Sequence, residues 1–195
     1  MTLDLEGVLV PEIWLAVADR TGVDGLRRTT RDEPDYDVLM RGRLDLLAEH
    51  GLTMSLVRDV IAGLAPFPGA VDFLDTLREH TQVVILSDTF EQFAGPLMRQ
   101  LGHPTILCHR LVVDHDRITD YCLRMPDQKR HAVKAFRALN YRVVAAGDSY
   151  NDISMLTAAD AGFLFHAPDN VRREFPAFPA VEQYPELLDR LVAEL

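Results

Sequence analysis

Lysine is nearly missing from this chain: Lys129 and Lys134 are the only two, and the other 18 of its 20 cations are arginines. Cysteine is as scarce. Cys108 and Cys122 are too few for a disulfide-built scaffold, and they fit packing residues in a reducing compartment. The longest apolar run, Ile13 to Ala18, has six residues, whereas a membrane span needs about 20. No internal repeat and no Pro/Gly/Ser-rich linker divides the chain. The eleven glycines form no Gly-x-Gly-x-x-Gly and no P-loop, so a nucleotide cofactor is not indicated. None of the seven histidines stand four apart, so a helical His-based zinc site is not indicated either. Positive charge is short as well, with 20 Lys and Arg against 30 Asp and Glu, a net charge of −10. A nucleic-acid binder needs a basic face, and this chain offers none by composition. Asp4 and Glu6 stand where an export signal would be apolar, and the first cation is Arg20. The expectation is a cytoplasmic protein with no membrane or nucleic-acid partner.

What is present is ordinary globular material, 48% hydrophobic and 26% charged. The 195 residues suit one domain of roughly 150 residues plus an insertion. Two short apolar runs, Gln82–Leu86 and Arg142–Ala146, read as strands buried on both faces. Gly162–Phe165 reads as a third, and Thr2-Leu3 as the end of a fourth. Only three residues precede Asp4, so this first strand is expected to be short. Helical patterns over 69–80, 90–101, 129–139, 150–159 and 184–195 alternate with the strands. The expected fold is α/β, a Rossmann-like open parallel sheet. In such sheets ligands bind at the carboxyl ends of the strands.

Residues 11–67 break the rhythm with helical patterns alone, over 11–21, 35–50 and 53–64. Leu39, Leu44, Leu46 and Leu47 cover one face of the middle stretch, and Gly51 sits just past its end. The expectation is a helical insertion after the first strand. The domain division is then 1–10 with 68–195 as the core and 11–67 as the insertion. A β-hairpin is expected near 108–124, where Leu111–Val113 and Tyr121–Leu123 flank the polar Asp114–Arg117 turn.

Four polar signals fall at strand ends or helix starts: Asp4-Leu5-Glu6-Gly7, Ser87, Lys129, and Gly147-Asp148-Ser149-Tyr150-Asn151-Asp152. Singly, each has a plain reading. Ser87, Asp148 or Asp152 would serve as helix caps, Lys129 as a solvated charge, Asp4 as a surface acid. Together, in this order and spacing, they resemble the four motifs of the haloacid dehalogenase-type phosphohydrolases, which run Asp-x-Asp, Ser/Thr, Lys and Gly-Asp-x-x-x-Asp. The segment Asp4–Trp14 is similar to a narrower branch, the bifunctional phosphoserine phosphatase / homoserine phosphotransferase proteins of ThrH type. So are Thr30-Arg31-Asp32, Asp35–Met40, Ile85–Phe90 and Phe165–Pro168. Glu6 at the second acidic position and Asp88-Thr89 after the serine depart from ordinary phosphoserine phosphatases.

The resemblance implies a Mg²⁺-dependent enzyme acting on L-phosphoserine, with L-homoserine as a second phosphoryl acceptor. Asp4 would attack phosphorus and form an aspartyl-phosphate. Glu6 would act as acid and base, since residues i and i+2 of a strand share a face. Asp4, the Glu6 backbone carbonyl and Asp148 would hold the metal, supported by Asn151 and Asp152. Gly7, Ser87 and Lys129 would bind the phosphoryl oxygens. Lys134 lies about 500° further round the same helix, which leaves Lys129 as the motif lysine. Residues 11–67 fit the family's small cap, with Glu12, Tyr36 and Arg43 reading the amino-acid part of the substrate, and Asp88 beside them.

Three other readings stand against this one. A related phosphatase would take another small phosphate monoester with the same chemistry. A phospho-aspartate receiver also places an acid, a Ser/Thr and a lysine on an α/β sheet, but it lacks a helical insertion and carries its acceptor well inside the chain. A non-catalytic phosphate binder would not need all four motifs intact. The sequence leaves the oligomeric state open.

Overall fold

The computed structural model describes residues 1–29, 32–33 and 35–195. Thr30 and Arg31, which carry part of the resemblance, lie outside the described residues.

Seven strands form one sheet in the order β4-β3-β2-β1-β5-β6-β7. They are β1 (Thr2–Leu3), β2 (Val84–Phe90), β3 (Thr105–Asp114), β4 (Arg117–Cys122), β5 (Val144–Gly147), β6 (Ala161–Phe165) and β7 (Ala180–Val181). All neighbours pair parallel except β3 and β4, which form the expected hairpin with Asp114 opposite Arg117. Apolar residues alternate between two cores, as a sheet covered on both faces requires. Ile85, Val144, Ala146, Phe163 and Phe165 face one core. Leu86, Ala145 and Leu164 face the other. The helices α4 (Ala70–His80), α5 (Glu91–Gln100) and α9 (Tyr184–Val192) cover the first face. The second is covered by α6 (Gln128–Ala138), α7 (Ile153–Ala158) and α8 (Asp169–Glu174). The first strand is as short as expected. It is held from both sides, Thr2 opposite Val84 and Ala145, Leu3 opposite Ile85 and Ala146.

Among the described residues, the segment between β1 and α4 holds the α-helices α1 (Ile13–Thr21), α2 (Tyr36–Glu49) and α3 (Met54–Ala62), with a 3₁₀ turn at Asp24–Arg27 between the first two. Asp35 caps α2 by accepting from the amides of Asp37 and Val38. At the other end, Gly51 N–H donates to Ala48 O and Leu52 N–H to Leu47 O, a Schellman ending. Among the described residues no helix is long and apolar enough to cross a membrane. Cys108 and Cys122 are both free, the first buried and the second exposed.

Several expected boundaries need correction. The strand expected over 82–86 runs on to Phe90, with its register broken between Leu86 and Phe90. Ser87, expected just past the end of that strand, therefore stands inside β2, in a bulge. The strand expected from Arg142 begins at Val144, because the Val143 amide is taken by the Asp160 carboxylate. The helix expected over 150–159 splits into a 3₁₀ turn (Tyr150–Asp152), opened by a capping box between Ser149 and Asp152, and α7. Neither β7 nor α8 is legible as a periodic run, both being too short.

Candidate active site

The carboxyl edge of the sheet gathers side chains from four segments. Asp4 follows β1, and its amide donates to Ala146 O at 3.0 Å, so the neighbouring strand fixes it one residue past the ladder. Ser87 and Asp88 stand in the β2 bulge. Lys129 enters from the first turn of α6 and is 1% exposed, while Lys134 on the same helix is exposed. Asp148 and Asp152 come from the loop and turn after β5. Lys129 Nζ is 2.9 Å from Asp4 Oδ1, 2.8 Å from Asp152 Oδ1 and 3.9 Å from Asp88 Oδ2. Burial opposes its charge. The three carboxylates outweigh burial and hold its pKa well above the ordinary lysine value.

Asp4, Asp148 and Asp152 each offer a carboxylate oxygen, all within 4.8 Å of one another. Two glycines make that convergence possible. A Cβ on Gly7, which has φ +77°, would fall 2.5 Å from Asp148 Cγ, and one on Gly147 would fall 2.4 Å from Asp152 Cγ. Asp152 Oδ2 accepts from the amides of Asp148 and Ser149 at 3.0 and 3.2 Å, so its two oxygens fix the loop and Lys129 at once. Burial pushes the Asp4 carboxyl well above its usual pKa, with Asp152 and Asp148 adding to the effect and Lys129 opposing it. Three hard oxygen donors around one ammonium leave an excess of negative charge. That donor set fits a divalent cation such as Mg²⁺.

Glu6 is half-buried, with Oε2 accepting from the Ile13 amide at 2.8 Å. Burial and Glu12 push its pKa up to about 8, against the Ile13 amide, Arg43 and Lys129. A small cavity of about 80 Å³ joins Asp4, Glu6, Ser87, Asp88 and Asp148 to Glu12, Tyr36 and Arg43 of the helical segment. Arg43 is buried, its Nε has no hydrogen-bond partner, and burial pulls its pKa down to about 10. Its guanidinium lies over the Trp14 ring, 4.7 Å from the centroid, and Nη2 donates to Arg28 O at 2.8 Å. The Tyr36 hydroxyl donates to Asp88 O at 3.1 Å, and its pKa is raised, mainly by burial.

The Asp88 carboxylate also lines this cavity, but both its oxygens are gripped. Asn151 Nδ2 donates to Oδ2 at 2.8 Å, and His109 Nε2 lies 3.4 Å from Oδ1. Burial would raise its pKa, yet Lys129 and the bonds from His109 and Asn151 outweigh it and hold the carboxyl below its usual range. Neither His109 nor Gln128, which lies against the same residues, carries a sequence signal. Each is a lone buried polar side chain outside any motif.

A family model described as haloacid dehalogenase-like hydrolase matches residues 2–160. A phosphoserine phosphatase of Pseudomonas syringae pv. tomato is 64% identical over 186 residues, 95% of this chain and 78% of that protein. A Pseudomonas aeruginosa protein named phosphoserine phosphatase ThrH is 63% identical over 186 residues, 95% of this chain and 91% of that one. Among solved structures, a substrate-bound phosphoserine phosphatase superposes with a TM-score of 0.81, covering 97% of this chain and 96% of that chain. At 22% identity that last likeness is one of fold.

Proposed function

The chain belongs to the haloacid dehalogenase-like hydrolases, and we propose that it is a magnesium-dependent phosphoserine phosphatase that also passes the phosphoryl group from L-phosphoserine to L-homoserine. One observation carries this reading. A single small cavity holds Asp4, which is paired with Lys129, and the buried Arg43 guanidinium with its unpartnered Nε. The first pair suits a phosphoryl group. The second suits a carboxylate, which an arginine fork grips bidentately. Glu12 would take the ammonium group of the substrate and Tyr36 would wall it in. Residues 11–67 act as the cap over the core formed by 1–10 and 68–195, excluding water during transfer. The names of the two Pseudomonas relatives support the substrate class.

Asp4 Oδ1 is occupied by Lys129 and by the Leu5 amide at 2.7 Å, which leaves Oδ2 to attack phosphorus. The product is an aspartyl-phosphate, and one hard displacement becomes two easier ones. Lys129, the Ser87 hydroxyl and the backbone at Gly7 stabilise the phosphoryl oxygens as charge moves onto them. Glu6, with its raised pKa, holds a proton near neutrality and gives it to the leaving alkoxide. It then takes one from water or from the homoserine hydroxyl. Its extra methylene, relative to aspartate, places the carboxyl to serve that larger acceptor. Asp4, the Glu6 backbone carbonyl and Asp148 would hold Mg²⁺, with Asp152 and Asn151 supporting them. Bound there, the ion supplies charge neutralisation at the phosphate.

The test is direct. Pure protein is incubated with Mg²⁺ and L-phosphoserine, with and without L-homoserine, and phosphate and phosphohomoserine are followed. Phosphate release is expected in both cases, with phosphohomoserine only when the acceptor is present and neither product with Asp4→Asn. Glu6→Asp is expected to change the ratio of transfer to hydrolysis. Near-normal turnover by Asp4→Asn would refute the covalent route, and failure on L-phosphoserine with turnover of another monoester would refute the substrate.

A further inference from the structure

His109 is buried on β3, yet the chemistry above does not use it. Both ring nitrogens are engaged. The Arg124 amide lies 3.3 Å from Nδ1. A backbone N–H only donates, so Nδ1 is the acceptor, and in the neutral ring the proton sits on Nε2. Nε2 lies 3.4 Å from Asp88 Oδ1, within reach of that proton. Gln128 Nε2 donates to Ser87 O at 2.7 Å and reaches Asp88 Oδ1 at 3.5 Å. It also lies 3.4 Å from His109 Nε2. Those two nitrogens are both donors, so both turn on the Asp88 carboxylate.

The position of this cluster explains why it matters. Between Leu86 and Phe90 the β2–β3 register is broken, and Ser87 and Asp88 stand where the ladder does not support them. Gln128 on Ser87 O and Tyr36 on Asp88 O supply bonds in its place. Asp88 is also an anion next to the site proposed for an incoming dianion. Left unheld, it could swing toward the phosphoryl oxygens or draw Lys129 away from Asp4. Held at Oδ1 by His109 and Gln128 and at Oδ2 by Asn151, it stays 3.9 Å from Lys129 Nζ.

We propose that His109 and Gln128 are positioning residues that act through Asp88 and the Ser87 carbonyl to fix the Lys129 ammonium and the Ser87 hydroxyl for phosphoryl transfer. The inference rests on reading Lys129 and Ser87 as the phosphoryl-binding groups. A double-mutant cycle tests it. His109→Leu, which removes the donor, is expected to lower kcat on L-phosphoserine about tenfold with KM within about twofold. His109→Gln carries an N–H to about the place of Nε2 and is expected to keep activity within about threefold of wild type. On an Asp88→Asn background, His109→Leu is expected to add less than about twofold. An equal loss on both backgrounds overturns the proposal, as does a fully active His109→Leu. Nitrogen-15 shifts of the wild-type His109 ring give a readout independent of substrate. Protonation at Nε2 alone is expected, and protonation at Nδ1 alone overturns the proposal even if the ester cleaved proves to be a different one.

Discussion

Lys129 Nζ and Asp152 Oδ1 meet 2.8 Å apart with side chains 2% and 0% exposed, the most deeply buried ion pair among the described residues. Removing both charges from water is costly, and a single pair rarely recovers that cost. Here the ammonium also serves Asp4, and the carboxylate also orders the Asp148 and Ser149 amides. Lys129→Met strips the cation that contacts both Asp4 and Asp152. Turnover is expected to fall at least about a hundredfold. Urea unfolding in chelator is expected to show a loss of about 3–5 kcal/mol, the range for breaking a buried pair. A Lys129→Met protein of unchanged stability would mean that the acids are neutralised in some other way.

Gly7 is placed where no other residue fits. Its φ of +77° is unfavourable for a side chain, and a Cβ would fall 2.5 Å from Asp148 Cγ and Oδ2. Gly7→Ala therefore displaces the Asp148 carboxylate or the backbone that carries it. The left-handed conformation alone costs about 1–2 kcal/mol. Mg²⁺ affinity, read by isothermal titration, is expected to fall about tenfold or more, since an ion of this kind tolerates little error in ligand position. Unchanged affinity would remove Asp148 from the metal set.

The same crowding of acids predicts how the metal-free protein responds to pH. Glu6 is pushed up to about 8, by burial first and Glu12 second, and Asp4 is raised in the same direction. A carboxyl with a raised folded-state pKa binds its proton more tightly folded than unfolded. Its contribution is complete below the unfolded value of about 4.5 and is lost as pH rises toward about 8. The carboxyls shifted downward, Asp88, Asp116, Asp120 and Asp160, titrate below this window and stay constant across it, while the partly buried Met1 ammonium, whose pKa burial lowers, regains stability as it deprotonates and offsets part of the fall. In chelator, Tm is expected to drop between pH 5 and 8.5. Glu6→Gln, which cannot ionise, is expected to drop less. A Tm that rises over this range would mean that these carboxyls are not buried together.

Much of this arrangement is legible in the sequence because its physics is local. The runs Val84–Leu86 and Val144–Ala146 alternate between two cores, so each is apolar throughout and reads as a parallel strand. The polar residues that follow them then fall at the sheet edge. What the sequence conceals depends on contacts far along the chain. The β2 bulge is invisible because Ser87–Thr89 is supported by Gln128 and Tyr36, 41 and 52 residues away from the carbonyls they bind. His109 shows only as a polar residue in a strand until Arg124 and Asp88 are brought to its two nitrogens. The 3₁₀ turn at Tyr150–Asp152 is hidden for a different reason. Asp152 reads as a motif acid or a helix cap, but nothing in the run shows that its carboxylate bonds backward to two amides and closes a separate turn.

Arg43 gives the sharpest test of what the cavity selects. Its guanidinium is fixed by the Trp14 face and by Arg28 O, while Nε is buried without a partner. A buried donor left in this state is costly, and a ligand carboxylate would relieve it. Arg43→Met keeps the packing against Trp14 but removes the charge and the fork. The charge-assisted bond lost is worth about 1.5–3 kcal/mol, which converts to a rise in KM for L-phosphoserine of roughly tenfold to more than a hundredfold. p-Nitrophenyl phosphate has no carboxylate, and its kcat/KM is expected to stay within about twofold. The two substrates assayed side by side separate recognition from chemistry. If both lose activity equally, Arg43 serves the phosphoryl site or the fold, and the carboxylate must be read elsewhere in the cavity.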